Sequence, residues 1–156
     1  MQLLSSCYLF KGLSESQLLR LEVITKEKQV KEGHFLMHEG QKGEALFVLK
    51  EGAVELMTAV NDDFELPIAI LRNPGDFTGT SSLVPPYEYS LSSRCSEEGK
   101  ILIIKQTDLK ELMIEDHLLG CTIMKNLAQH FLERLKETRQ EVKIHFKTIF
   151  KSIHSS

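Results

Sequence analysis

The sequence has no tryptophan, only three cysteines and four prolines, and aromatic residues make up just 7% of it. It also lacks long apolar runs: no stretch approaches the ~20 consecutive apolar residues that a membrane-spanning helix needs. Met1 to Phe10 has no basic n-region and no cleavage-site pattern, which argues against a secretory leader. These absences together point to a cytoplasmic chain without a membrane span. Cys7, Cys95 and Cys121 are odd in number, widely spaced and form no C-x-x-C. That pattern fits reduced thiols rather than a disulfide framework or a zinc site. With 42% hydrophobic and 26% charged residues over 156 positions, the chain has the balance of a globular protein able to bury a core. The net charge of −3 is unevenly spread: from Cys121 onward seven Lys and Arg face only Glu133, Glu137 and Glu141. The C-terminal segment is therefore about +4 and the remainder about −7. A solvated helix face accounts for this, and a nucleic-acid or membrane surface is the sharper alternative.

What the chain does contain is glycine at regular corners. From Gly33 to Leu56 it reads GHFLMHEGQKGEALFVLKEGAVEL, in which Gly33, Gly40, Gly43 and Gly52 punctuate short alternating apolar runs. Glycine tolerates positive φ, so such spacing marks strands turning tight corners, as in a β-roll or jelly-roll barrel. The period-two pattern continues: Val54, Leu56 and Val60 share one face, and Phe64, Leu66, Ile68 and Ile70 share another. Asn61-Asp62-Asp63 between them is hairpin chemistry. Pro67 points away from its apolar neighbours and suggests an edge or a bulge. Lys100 to Lys105 reads as one more buried strand.

Helical periodicity brackets the barrel. Ser14 and Gln17 form a capping box opening a helix to about Thr25, with Leu13 and Leu18 at staple spacing and Leu18, Leu21 and Val23–Ile24 as its buried stripe. Asp108 and Glu111 suggest a second capping box and a short helix through Ile114. A long helix then begins near Asp116, with Ile123, Leu127, Phe131, Leu135, Thr138, Val142 and Ile149 recurring at helical steps. Continuous to about Phe150, it would run roughly 50 Å at ~1.5 Å per residue, more than one small barrel can cover. Part of the stripe is thus expected to pack against a second subunit, through Ile123, Leu127, Phe131, Leu135 and Val142. The expected class is mainly β with flanking α-helices: a β-roll barrel (double-stranded β-helix) of seven or eight strands, with an N-terminal helix and a long C-terminal dimerisation helix. Residues 1–114 would form the β-roll unit and 115–156 the dimerisation helix with its basic tail.

The combination of LFKGLSESQLLRL, the G-x6-G-x2-G-x8-G spacing and LRNPGDFTG at Leu71 to Gly79 resembles the cyclic nucleotide-binding domain, the sensor of catabolite-activator and Fnr-like regulators. The resemblance implies a non-catalytic regulatory module whose barrel holds the ligand while the long helix closes over it and makes the dimer. It also implies a phosphate-binding cassette, in which a glutamate takes the ribose 2′-hydroxyl, an arginine about ten residues later takes the cyclic phosphate, and helix-start amides help. Here the turn is kept as Gly75, Asp76 and Gly79. The glutamate position reads Thr80, and the arginine position falls at Tyr89 or Ser90. A hydrogen bond to a charged group contributes roughly 1.5–3 kcal/mol, so losing both should weaken cyclic AMP and cyclic GMP by roughly 10²–10⁴. Thr78, Thr80, Ser81 and Ser82, with Leu83, remain as a candidate wall for a cyclic nucleotide or another small anionic ligand. Thr138 aligns with the threonine that meets adenine in the family. Two other arginines are candidates for the missing partner: Arg94, ten residues before Ile104 where the family leaves about fifteen, and Arg72, at a strand end before the turn where it faces solvent.

Other constellations are weaker. His34 and His38 lie at i, i+4 of one strand without a third ligand. His117, His130 and His145 fall on the long helix. A cupin-like metalloenzyme would share the barrel, but it needs an H-x-H pair where this chain offers only His38 and Glu44. The remaining alternative is a structural dimerisation or docking domain with a protein partner. No catalytic constellation, metal site or cofactor is indicated. Family regulators carry a winged helix-turn-helix after the long helix, and Lys147 to Ser156 are too few to form one.

Overall fold

The computed structural model describes residues 2–155; Met1 and Ser156, which end the two expected units, lie outside the described residues. The chain enters through α1 (Gln2–Ser6) and a 3-10 turn at Tyr8–Phe10, followed by α2 (Glu15–Val23). The capping box at the head of α2 is formed: the Ser14 Oγ accepts from the Gln17 amide, and the Gln17 side chain accepts from the Ser14 amide at 2.9 Å. Leu18 and Leu21 face inward as expected, but Val23 is 85% exposed because the helix ends there and the chain turns away through Ile24.

Six strands follow among the described residues: β1 (Thr25–Val30), β2 (Phe35–Met37), β3 (Ala45–Asn61), β4 (Phe64–Leu71), β5 (Phe77–Thr78) and β6 (Ser92–Lys105). All pair antiparallel in one sheet ordered β1-β6-β3-β4, with β2 also on β6 and β5 on β3. This is the mainly β roll with flanking helices that the pattern called for, built from fewer strands than expected. The difference lies in β3 and β6, which are 17 and 14 residues long. They bend rather than break, with register shifts at Leu49/Glu51, Glu51/Ala53 and Ala53/Val54, so each serves both halves of the roll. Gly52 sits at the bend with φ of 93°, and a Cβ there would lie 2.7 Å from the Glu97 carbonyl oxygen.

The hairpin at Asn61–Asp63 joins β3 to β4, with the Asn61 side chain accepting from the Asp63 amide. β4 ends the sheet order, and a register shift between Leu56 and Met57 lies opposite Pro67, as its proline suggested. The shared apolar face of β4 is not core, however. Phe64, Leu66, Ile68 and Ile70 are all exposed, because no layer covers that side of the edge strand. Val60 is exposed as well, since the shift after Leu56 turns Met57 inward in its place.

Two helices complete the described chain: α3 (Gln106–Glu115) and α4 (His117–His154). The expected Asp108–Glu111 capping box does not form; α3 starts three residues earlier behind Lys105, which leaves Asp108 inside its first turn. Asp116 caps α4, accepting from the Leu119 amide at 3.0 Å. One core cluster joins α1, α2 and α3 to the start of α4 through Leu4, Leu9, Phe10, Leu21, Leu109, Leu119, Ile123 and Leu127. The other fills the roll around Val30, Phe47, Val54, Tyr89 and Ile101. Ile123 and Leu127, expected at a subunit interface, are fully buried in the first cluster and have no surface left for a partner. Each such side chain contributes about 1.5–3 kcal/mol to seating α4. The first cluster therefore runs across the division expected between residues 114 and 115.

Candidate ligand-binding site

The turn that opens the candidate cassette is built by hydrogen bonds rather than by propensity. The Asp76 carboxylate accepts from the Arg72 and Asn73 amides, and the Gly75 amide donates to the Leu49 carbonyl. Gly79 has φ of 87°, and a Cβ on it would come within 2.7 Å of the Ala45 carbonyl oxygen and 3.1 Å of the Phe47 ring. Only glycine fits this crossing of the cassette over β3. Gly75, Asp76 and Gly79 thus shape the turn; none of them lines the cavity beside it. The segment that follows is a single 3-10 turn, Thr80–Leu83, not a helix of several turns. Its Ser82 amide already donates to the Gly79 carbonyl at 3.0 Å.

Beside this turn lies a cavity of about 240 Å³ lined by Leu56, Ala69, Leu71, Phe77, Thr78, Thr80, Ser90 and Leu91 from the barrel, and by His130, Phe131 and Arg134 from α4. Thr80 and Ser90, ten positions apart, stand on the same cavity, and Ser81 Oγ lies 3.2 Å from Ser90 Oγ to tie the two segments together. The other cassette candidates are placed elsewhere. Ser82 is fully buried with its hydroxyl donating to Gly79, and Leu83 packs against the helical core. Tyr89 is buried on the opposite side, where its hydroxyl donates to the Ala45 carbonyl and accepts from the Ala45 amide. Burial raises its phenol above the usual value. Between the two positions left open for the arginine, the cavity has Ser90.

The helix wall was not legible as such. His130 packs its ring 4.8 Å from Phe77 and 6.4 Å from Tyr8, clamping α4 over the barrel. Desolvation lowers its pKa and the neighbouring Arg134 charge adds to this, against a partial offset from Glu133 and Glu137. Arg134 pairs with Glu137 at 3.1 Å, and Tyr8 donates to Glu133 at 3.4 Å. The missed signal was the spacing itself: His130 and Arg134 follow Leu127 by three and seven residues, on the face that Ile123 and Leu127 bury. Thr138 lies one turn further on, exposed and donating to the Arg134 carbonyl, and does not line the cavity. Arg94 is committed to Glu55 at 3.1 Å, and Arg72 lies 4.0 Å from Glu97; neither lines the cavity.

His34 and His38 do not share a strand; they flank β2, and His38 stacks on Phe35. Among the described residues no three His, Cys, Asp or Glu side chains cluster as a metal site, and no helix is long and apolar enough to cross a membrane. From Phe131 onward α4 is exposed throughout, and Phe131, Leu135 and Val142 are each open to roughly half.

The family model described as the cyclic nucleotide-binding domain matches residues 27–116. The chain belongs to that family. Among solved structures, a cyclic nucleotide-binding protein chain from Geobacter metallireducens is 31% identical, with TM-score 0.70 over 81% of this chain and 91% of that one. The catabolite activator protein of Thermus thermophilus is 26% identical, with TM-score 0.74 over 88% of this chain and 62% of that one. The Anaerobic regulatory protein of Bacillus subtilis is 25% identical over 128 residues, which is 81% of this chain and 53% of that protein. The chain thus spans about half the length of this curated relative. The activator and the anaerobic regulatory protein are regulators by name, and the family match does not favour the cupin-like metalloenzyme.

Proposed function

We propose that this chain is a non-catalytic, cytoplasmic sensing module in which the family's cavity is retained but no longer built for cyclic AMP or cyclic GMP. The observation that carries the reading is the pairing of Thr80 and Ser90 on one cavity wall. Two neutral hydroxyls stand where the resemblance calls for a carboxylate and a guanidinium. The cavity has mixed apolar and hydroxyl walls, as small-molecule sites do, and its volume of about 240 Å³ suits a small ligand.

The output in this reading is the exposed half of α4. Leu132, Leu135, Val142, Phe146 and Ile149 follow one another at helical steps with about half their surface open, interrupted by Arg139. An apolar seam of this kind fits a second copy of the chain in a helical pair. Light scattering at low micromolar concentration is expected to give a dimer for the wild type and a monomer for Leu135→Glu.

A thermal-shift panel of cyclic mononucleotides, cyclic dinucleotides and small organic acids tests the sensing role. A ligand at 100 times its Kd stabilises by ~2.7 kcal/mol, which the melting curve resolves. Stabilisation by a member of the panel supports a sensor. A panel without any shift leaves the docking-domain alternative in its place.

A further inference from the structure

The two walls of the cavity carry different charge. The barrel contributes apolar side chains and the hydroxyls of Thr78, Thr80 and Ser90, while α4 contributes Arg134 and His130, the latter half-buried against Phe77 and Tyr8. No carboxylate is among the lining residues, so Arg134 is the one permanent charge on the lining. Its partner Glu137 lies outside the lining and engages only Nη1, in an i, i+3 pair on the exposed side of the helix. Such a pair holds weakly, and a guanidinium has five N–H donors in a fixed fork. Arg134 can therefore turn a second edge into the cavity, or leave Glu137, at small cost.

We propose that the cavity takes a small organic anion whose charged group, a carboxylate or a phosphate ester, is held from the helix side by Arg134, with its uncharged ring or chain against Phe77, Leu71 and the Thr80 and Ser90 hydroxyls. The inference rests on the sensing role proposed above and gives it a ligand polarity: the anion is read by α4, not by the cassette. A cation is disfavoured by Arg134, and a neutral ligand leaves the guanidinium without a counter-charge. Because Arg134 adjoins Leu135, binding acts on the helix at the start of its exposed apolar seam.

Calorimetry on the full chain with phenyl phosphate, benzoate and benzyl alcohol tests this. Both anions are expected to bind more tightly than the neutral alcohol; binding of the phosphate alone would also support the proposal and assign the charged group as phosphoryl. Arg134→Gln should weaken the anions roughly tenfold or more and leave benzyl alcohol within about twofold. Glu137→Gln, which frees the guanidinium, should strengthen them about twofold. The Arg134 side chain is 45% exposed at the rim of the cavity, and an unchanged circular dichroism spectrum checks that the variant is folded. If the anions bind Arg134→Gln as they bind wild type, or bind no better than benzyl alcohol, the anion assignment is wrong and the cavity remains a sensor of something neutral. If none of the three binds at about 10 mM, the anion assignment is wrong, and the thermal-shift panel decides the sensing role separately.

Discussion

The two walls of the cavity are made in different ways. The barrel wall is over-determined: β3 and β5 hold it in a ladder, Gly79 fits a crossing that admits no Cβ, and Asp76 ties off the turn behind it. The helix wall is one face of α4, lying just past the last fully buried residue, Leu127. Its attachments there are ring contacts of His130 and the Tyr8–Glu133 hydrogen bond. A rigid neutral wall faces a lightly held cationic one, so ligand binding has more freedom to move the helix than the barrel.

Substitutions at the two walls should therefore differ in size. The largest effect is expected from removing the anchor of the helix wall. Ile123→Ala leaves a cavity in the core and should cost about 2–5 kcal/mol in denaturant unfolding, whereas Leu135→Ala should change monomer stability by no more than about 0.5 kcal/mol. Next comes the barrel wall. Gly79→Ala forces a Cβ against the Ala45 carbonyl at positive φ and should cost about 1–3 kcal/mol, while Thr80→Val should cost less. Equal losses at Gly79 and Thr80 would mean that the crossing is not the rigid element.

A smaller effect belongs to His130. Its folded pKa is depressed, chiefly by desolvation, so protonation opposes folding. Stability is unaffected above the usual histidine value and falls as the pH drops through about 6.5 toward the lower folded value. His130→Gln should flatten that part of the melting-temperature profile between about pH 7 and pH 5. An unchanged slope would show that the ring clamp does not sense pH.

The glycine corners, the Ser14–Gln17 box and the Asn61–Asp63 hairpin made the roll legible because each is a local requirement written in a few adjacent residues. Alternation in β4 was legible too, but it reports which residues share a face, not whether anything covers that face. The same limit explains Ile123 and Leu127. They share a stripe with Phe131 and Leu135, and only the position of the body beneath α4 separates core from seam. In the cassette, counting could not choose between Tyr89 and Ser90, which are neighbours facing opposite sides of an extended segment. Arg134 was hidden for a further reason: an arginine among Glu133 and Glu137 reads as a solvated helix face until the barrel is seen against it.

Titrating cyclic AMP by calorimetry into wild type and into Thr80→Glu/Ser90→Arg tests the central claim, a family cavity with its barrel-side charges gone. The account predicts a wild-type Kd above about 100 μM and a gain of about 2–4 kcal/mol in the double variant, since residues 80 and 90 meet on one cavity. Sub-micromolar binding of cyclic AMP by the wild type would contradict it.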